Sequence, residues 1–265
     1  MDVVTLREAS SPLLVSFPHS GTGIPTAIAQ QFTTAGRSLV DTDWHVPKLY
    51  DFLRELPVST ITANYSRYVI DVNRSPQGTA LYPGQNETEL CPTSTFDKQP
   101  IYLLGKAPDT VEIARRKEYY WQVYHDALAE QLARIKKNYG YALLWDAHSI
   151  AAEVPRFFEG VLPDLNLGSA GGQSCDLRLS ADLLAEMDYS GYSAIHNGRF
   201  KGGYITRQYG LPNSGVHAVQ MEISQNTYLL TSSDHEYEYD SMRADKLSQL
   251  LKKMILVMLD YSPNH

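Results

Sequence analysis

The sequence predicts an α/β fold built on a mostly parallel sheet, and three observations carry that reading. The apolar runs LLVSF, ALLW and HAVQMEI are the pattern of strands buried on both faces. Stretches of about ten residues or more with apolar residues at helical spacing lie between the strands. Strands separated by such helices are joined by crossovers, which favours parallel pairing.

The elements follow in chain order. Leu13–Phe17 reads as a buried strand, followed by the loop PHSGTGIP. Trp44–Glu55 carries Val46, Leu49, Phe52 and Leu53 at helical spacing and stops before Pro57. Ser59–Ala63 and Tyr68–Val72 read as two strands separated by NYSR. Residues 75–107 are rich in Pro, Gly, Thr and Tyr without periodicity, which suggests a functional loop at the mouth of a site. Asp109 with Glu112 forms a capping box that opens a long helix, and Gly140 is placed to end it. The strand Ala142–Trp145 follows, then a helix over Leu177–Met187, a strand over His217–Ile223 and an amphipathic helix over Tyr239–Leu259. One α/β domain spanning residues 1–265 accommodates all of them.

Composition narrows the functional classes. At 265 residues and 43% hydrophobic content the chain can bury a large core. No apolar run is long enough for a membrane span. The opening MDVVTLREASS lacks the apolar core of a signal peptide, and Cys91 and Cys175 form neither a disulfide framework nor a CxxC pair. The expected location is the cytoplasm, as a monomer or small homo-oligomer. A net charge of −7 argues against nucleic acid and anionic membranes as partners. A small anionic substrate stays compatible with it, because a local Arg cluster dominates at short range.

The chemistry-bearing residues sit at strand ends, where ligands bind in open α/β sheets. His19 follows the first strand and His148 follows ALLWDA, with Asp146 placed to hydrogen-bond an imidazole. Asp43 competes with Asp41 and His45 as an acidic or imidazole partner, and Asp41 has the ordinary alternative of capping a helix. Glu222 is the lone acid in an apolar strand, on the same face as Gln220. Two imidazoles, one carboxylate and a second carboxylate kept free suffice for a hydrolytic metal site. Positive groups flank these positions: Arg67 and Arg74 in SRYVIDVNR, beside Asn73, and Arg199, Lys201 and Arg207 in NGRFKGGYITRQYG, with Tyr204 among them. Bidentate guanidinium pairing with two carboxylates would suit a dicarboxylate substrate. No nucleophile elbow, Walker loop, HExxH or dinucleotide fingerprint is present. Cys175, in GGQSCD, has no identifiable base.

The stretches SFPHSGTGIP, DTDWHVPKLYDF, YSRYVIDVNRSP, LYPGQ, WDAHSI, NGRFKGGYITRQYG and GVHAVQMEIS closely resemble the N-formylglutamate amidohydrolase family, from about residue 10 to about residue 260. The DVNR segment also resembles the DLNR of aspartoacylases. This resemblance implies a three-layer α/β/α sandwich around a mixed, mostly parallel sheet, shared with aspartoacylases and zinc carboxypeptidases. It implies His19, Asp43 and His148 as ligands of a divalent metal, Zn²⁺ first, with Co²⁺, Mn²⁺ and Fe²⁺ compatible. Asp43 stands where aspartoacylases use the Glu of a HxxE motif. Glu222 is the implied general base, and Asn73 and Arg74 hold one substrate carboxylate. Arg199 or Arg207 holds the second, with Arg67 and Tyr204 completing the substrate set. The implied reaction is hydrolysis of N-formyl-L-glutamate to L-glutamate and formate, in histidine degradation. A different N-acyl amino acid or peptidoglycan amidohydrolase is the first alternative, and an inactive binding protein for acidic amino acids the second. A formyl group calls for a tight pocket, and Phe17, Trp44 and Trp145 are candidates to fill it.

Overall fold

Seven strands form the central sheet of the computed structural model, which describes residues 1–79, 84, 86–231 and 237–263. They are β1 (Val4–Arg7), β2 (Leu13–Phe17), β3 (Ser59–Ala63), β4 (Ala142–Ile150), β5 (Leu165–Gly168), β6 (Ala194–His196) and β7 (Val216–Ser224). Their order is β1-β3-β2-β4-β7-β5-β6. The central four, β3, β2, β4 and β7, are mutually parallel. β1 is antiparallel to β3, and β5 and β6 form a parallel pair antiparallel to β7. A small hairpin joins β8 (Leu229–Thr231) and β9 (Tyr237–Tyr239). The sheet is therefore mixed and mostly parallel, as the sequence predicts.

Helices cover both faces, because the central strands are apolar on both. On one face, Leu13, Val15, Phe17, Trp145 and Met221 pack with the helices Val46–Leu49, Leu177–Asp188 and Ser241–Asp260. On the other, Leu14, Ile61, Leu144 and Ala218 pack against Trp121, Tyr124, Leu128 and Ile135 of the long helical segment, and against Ile205 of the helix Tyr204–Tyr209. The result is a three-layer sandwich. Among the described residues no helix is long and apolar enough to cross a membrane.

Several sequence expectations are corrected. Tyr68–Val72 is not a strand but a chain of turns. Its backbone hydrogen bonds go largely to side chains, which periodicity does not register. The expected helix over Trp44–Glu55 is broken into Val46–Leu49 and a 3₁₀ turn over Asp51–Glu55, starting from His45 at φ 58°. The long helix is present but contains a π-helical turn, Lys117–Gln122, between Thr110–Arg116 and Val123–Tyr139. Strand β4 runs on to Ile150, so Asp146 and His148 lie within the sheet rather than beyond it. The short strands β1, β5 and β6 carried no clear sequence signal. Leu81, Tyr82, Pro83 and Gln85 of the LYPGQ motif lie outside the described residues.

The topology makes a crevice between β2 and β4. The chain leaves β2 toward β3 on one side, whereas the neighbour of β4 on the other side is β7. Chain connections diverging from adjacent carboxyl ends open the gap in which ligands bind in such sheets.

Candidate metal centre and substrate cleft

His19 is carried two residues past β2 by Pro18. The turn that follows needs Gly21, since a Cβ there would sit 2.5 Å from the carbonyl oxygen of Ala63. Asp43 is tied to the same turn, its backbone N–H donating to the His19 carbonyl at 3.1 Å. His148 and Glu222 are directly opposite each other on β4 and β7, and Asp146 is opposite Gln220. Side chains two residues apart on a strand share a face, so register alone collects these four groups.

The two imidazoles and one carboxylate converge. His148 Nδ1 is 3.1 Å and His19 Nδ1 3.8 Å from Asp43 Oδ2, and ligand atoms of all three residues lie within 4.8 Å of one another. All three side chains are buried. Zn–N bonds of about 2.0–2.1 Å in a tetrahedral site place ligand atoms about 3.3–3.4 Å apart, so the donor set matches in type and nearly in spacing. Each histidine also turns its other nitrogen to a carboxylate: His19 Nε2 to Asp71 Oδ1 at 2.7 Å, His148 Nε2 to Asp146 Oδ2 at 3.0 Å. That arrangement leaves both Nδ1 atoms for a metal and fixes the rings. Asp146 in turn accepts from the Ser16 hydroxyl at 2.9 Å, and Ser149 N–H donates to Asp43 Oδ2 at 3.2 Å.

The electrostatics agree with a cation between these groups. Asp43, Asp71, Asp146 and Glu222 are buried together, and Arg67 pairs with Asp71 at 2.8 Å and approaches Asp43 at 4.0 Å. Buried carboxylates in such excess need further compensation. Burial lowers the basicity of His148, but Asp146 and Asp43 outweigh it and hold its pKa well above the usual value. His19 is shifted the other way, by burial and by the Arg67 cation. Burial raises Asp71, yet His19 and Arg67 outweigh it and keep its carboxyl well below the usual range. Burial pushes Glu222 up to about 8, with Asp43 adding to the rise while His148 and Arg67 oppose it. Its carboxylate accepts from Gln220 Nε2 at 3.0 Å, and the other end of Gln220 accepts from Gly203 N–H at 2.6 Å.

Beside this cluster lies a cleft of about 570 Å³, counting its open mouth. It is lined by His19, Asp43, His148 and Glu222, and also by Arg67, Asn73, Arg74 and Arg199. Phe96, Phe157 and Phe200 form apolar walls. The sequence candidates for that role lie elsewhere. Phe17 and Trp145 belong to the core of the opposite face, and Trp44 stacks on Tyr237 at 5.8 Å. Two predicted substrate residues also fall outside the lining. Tyr204 packs on Trp121 and His125, and Arg207 Nε donates to the Gly202 carbonyl at 2.8 Å. Arg199 faces the cleft with its guanidinium near the rings of Phe157 and Phe200. Arg74 reaches Thr88, and Asn73 Oδ1 accepts from Ile205 N–H at 2.9 Å.

The competition around Asp43 is decided by geometry. Asp41 turns away, accepting from the Tyr68 hydroxyl at 2.6 Å and from Phe96 N–H at 2.9 Å, and burial raises it to about 6. It is not a helix cap. His45 Nε2 donates to the Tyr237 carbonyl at 3.1 Å. Asp71 was missed by the sequence reading. Its signal was a lone acid inside YVIDVN, the same signal that singled out Glu222.

The model of the N-formylglutamate amidohydrolase family matches residues 11–229. The chain is 46% identical over 257 residues to the N-formylglutamate deformylase of Pseudomonas aeruginosa, covering 96% of each. It is 43% identical over 256 residues to that of Pseudomonas putida, again covering 96% of each. The crystal structure of N-formylglutamate amidohydrolase from Ralstonia eutropha superposes with a TM-score of 0.79 at 25% identity, covering 97% of this chain and 99% of that one. The family model covers residues 11–229, most of the chain, and the Pseudomonas relatives are 46% and 43% identical over nearly its whole length, so the chain belongs to the N-formylglutamate amidohydrolase family.

Proposed function

We propose that the chain hydrolyses N-formyl-L-glutamate to L-glutamate and formate, using a divalent metal held by His19 Nδ1, Asp43 and His148 Nδ1. The observation that carries the reading is the convergence of these three buried donors beside Glu222, at the head of a cleft lined by arginines. The names of the relatives support the substrate. A bound metal would supply Lewis acidity toward the formyl carbonyl and acidify a water.

The chain's own groups do the rest. Arg74 and Arg199 each bind a carboxylate of the substrate, the bidentate pairing that guanidinium favours. Asn73, whose Oδ1 accepts from Ile205 N–H of the helix Tyr204–Tyr209, joins Arg74 in holding one of these carboxylates. Glu222, fixed by Gln220 and favoured in its ionised form by the positive charge that a bound metal would add beside it, takes a proton from the attacking water as oxygen bonds to the formyl carbon. It returns that proton to the amine nitrogen as the C–N bond breaks, releasing formate and glutamate. Arg67 pairs with Asp71, helps to keep that carboxyl ionised and so orients His19, rather than meeting substrate. Phe96, Phe157 and Phe200 narrow the cleft and exclude bulk water. We read the whole chain as one catalytic domain, Zn²⁺ as the first candidate metal, and the reaction as a cytoplasmic step of histidine degradation.

The test is formate release by purified protein, with and without a chelator, from N-formyl-L-glutamate and from N-acetyl-L-glutamate. Chelator-sensitive release from the formyl substrate alone is the expected result. Acetate release at an equal rate would move the reading to a broader N-acyl amidohydrolase, and no release with added Zn²⁺, Co²⁺ or Mn²⁺ would overturn it.

A further inference from the structure

The segment 68–74 poses an accounting problem. Residues 68–73 are buried and Tyr68–Val72 reads as a strand, yet the segment joins no sheet, so its carbonyls need other donors. Tyr102 donates its hydroxyl to Tyr68 O at 3.2 Å. One helical segment, Thr110–Tyr139, supplies three more donors: Arg116 to Val69 O at 3.1 Å, His125 Nε2 to Val72 O at 2.8 Å, and Trp121 Nε1 to Arg74 O at 3.0 Å. The last two carbonyls bracket Asn73.

A regular α-helix does not present those three side chains together. At 3.6 residues per turn, Arg116 and Trp121 would point about 140° apart. The π-helical turn Lys117–Gln122 absorbs one extra residue and brings them to within about 40°. Trp121 and His125, one α-helical turn apart, then fall on the same stripe. Their rings stack at 3.8 Å, and His125 Nδ1 accepts from the Tyr209 hydroxyl at 2.8 Å, so neither ring is free to turn. All three side chains are buried.

We infer that Trp121 and His125, presented by this π-helical turn, are positioning residues that fix the backbone of the Asn73–Arg74 carboxylate clamp. The inference rests on the reading of Arg74 as a substrate-binding group. It gives the π-helical turn a use: a regular helix would secure one end of the clamp and release the other.

Trp121→Phe keeps the ring stack and removes the N–H. Its KM for N-formyl-L-glutamate should rise about threefold to tenfold, the worth of one neutral hydrogen bond, with kcat within about twofold. The diamide of N-formyl-L-glutamate, which has no carboxylate to clamp, should show no change in KM. Hydrogen exchange at the Asn73 and Arg74 amides should quicken about tenfold, while Val123–Tyr139 stays protected. An unchanged KM, an equal effect on both substrates, or unchanged exchange would overturn the inference. Should Trp121→Phe fail to fold, His125→Leu against His125→Gln makes the same comparison, Gln retaining a donor for Val72 O. If the wild-type protein does not hydrolyse N-formyl-L-glutamate, the functional reading falls, and the exchange measurement still decides whether the clamp is held this way.

Discussion

Strands β4 and β7 lie side by side in register, and their two faces have different compositions. One face carries Leu143, Trp145 and Ala147 against Val219, Met221 and Ile223, in one core with the helices Val46–Leu49, Leu177–Asp188 and Ser241–Asp260. The other begins with Ala142, Leu144 and Ala218 and then changes to Asp146, His148, Gln220 and Glu222 toward the carboxyl ends. The side-chain period of 2 lets the same nine-residue strands build a dry core and a polar centre back to back. Stability and chemistry are thus separated by the thickness of the sheet, and substitutions on the two faces should separate in the same way.

The largest expected effect tests the polar face. Glu222→Gln should lower kcat for formate release by about 10²–10⁴-fold, the usual worth of a general base, while metal stoichiometry stays at the wild-type level. Full activity in this variant would remove Glu222 from the mechanism. The apolar face is probed by Trp145→Ala, which empties a fully buried site and strips the Tyr50 hydroxyl of its donor at 2.9 Å. Denaturant titration should show a loss of about 3–5 kcal/mol, with the fraction that remains folded turning over nearly normally. A kcat loss as deep as that of Glu222→Gln would show that the two faces are coupled after all.

The smallest effect concerns pH. In the helical layer over the polar face, His125 is buried. Burial lowers the His125 pKa to about 4, opposed by its bond to the Val72 carbonyl. A histidine whose folded pKa is depressed is neutral in both states at high pH. As pH falls below about 6.5 the unfolded chain takes up the proton first, so stability declines until about pH 4. The total is at most about 3 kcal/mol. Asp41, raised to about 6 by burial, works in the opposite direction over part of the same range. The sharp measurement is therefore the difference in pH slope between wild type and His125→Phe by urea titration. Equal slopes would show that His125 contributes nothing to acid sensitivity.

Local pattern was a good guide wherever one face or one period decided the structure. Strands β2, β4 and β7 were legible because they are continuously apolar, and Gly140 ends its helix at φ 83° as a C′ glycine does. His19, His148 and Glu222 were legible because each is a polar residue at or near the end of such a run. Legibility failed where side chains replaced backbone partners. Tyr68–Val72 has the composition of a strand, but Arg116 and His125 take its carbonyls, and neither residue is near it in sequence. The same holds for the pocket walls, since Phe96, Phe157 and Phe200 come from segments with no regular period.

The sequence by itself determined the α/β class, the apolar strands, the long helix and the presence of two imidazoles, a lone glutamate and an excess of arginines near strand ends. Those are properties of composition and short-range period. Tertiary structure alone decided that Asp43 rather than Asp41 or His45 meets the imidazoles, that Asp71 joins the anticipated Asp146 in holding the outer nitrogens, and that Arg199 rather than Arg207 faces the cleft. The physical reason is that these choices depend on direction. Neighbours in sequence can point to opposite sides of a turn, and only the packing of β2 against β3 and β4 fixes which of them enters the crevice.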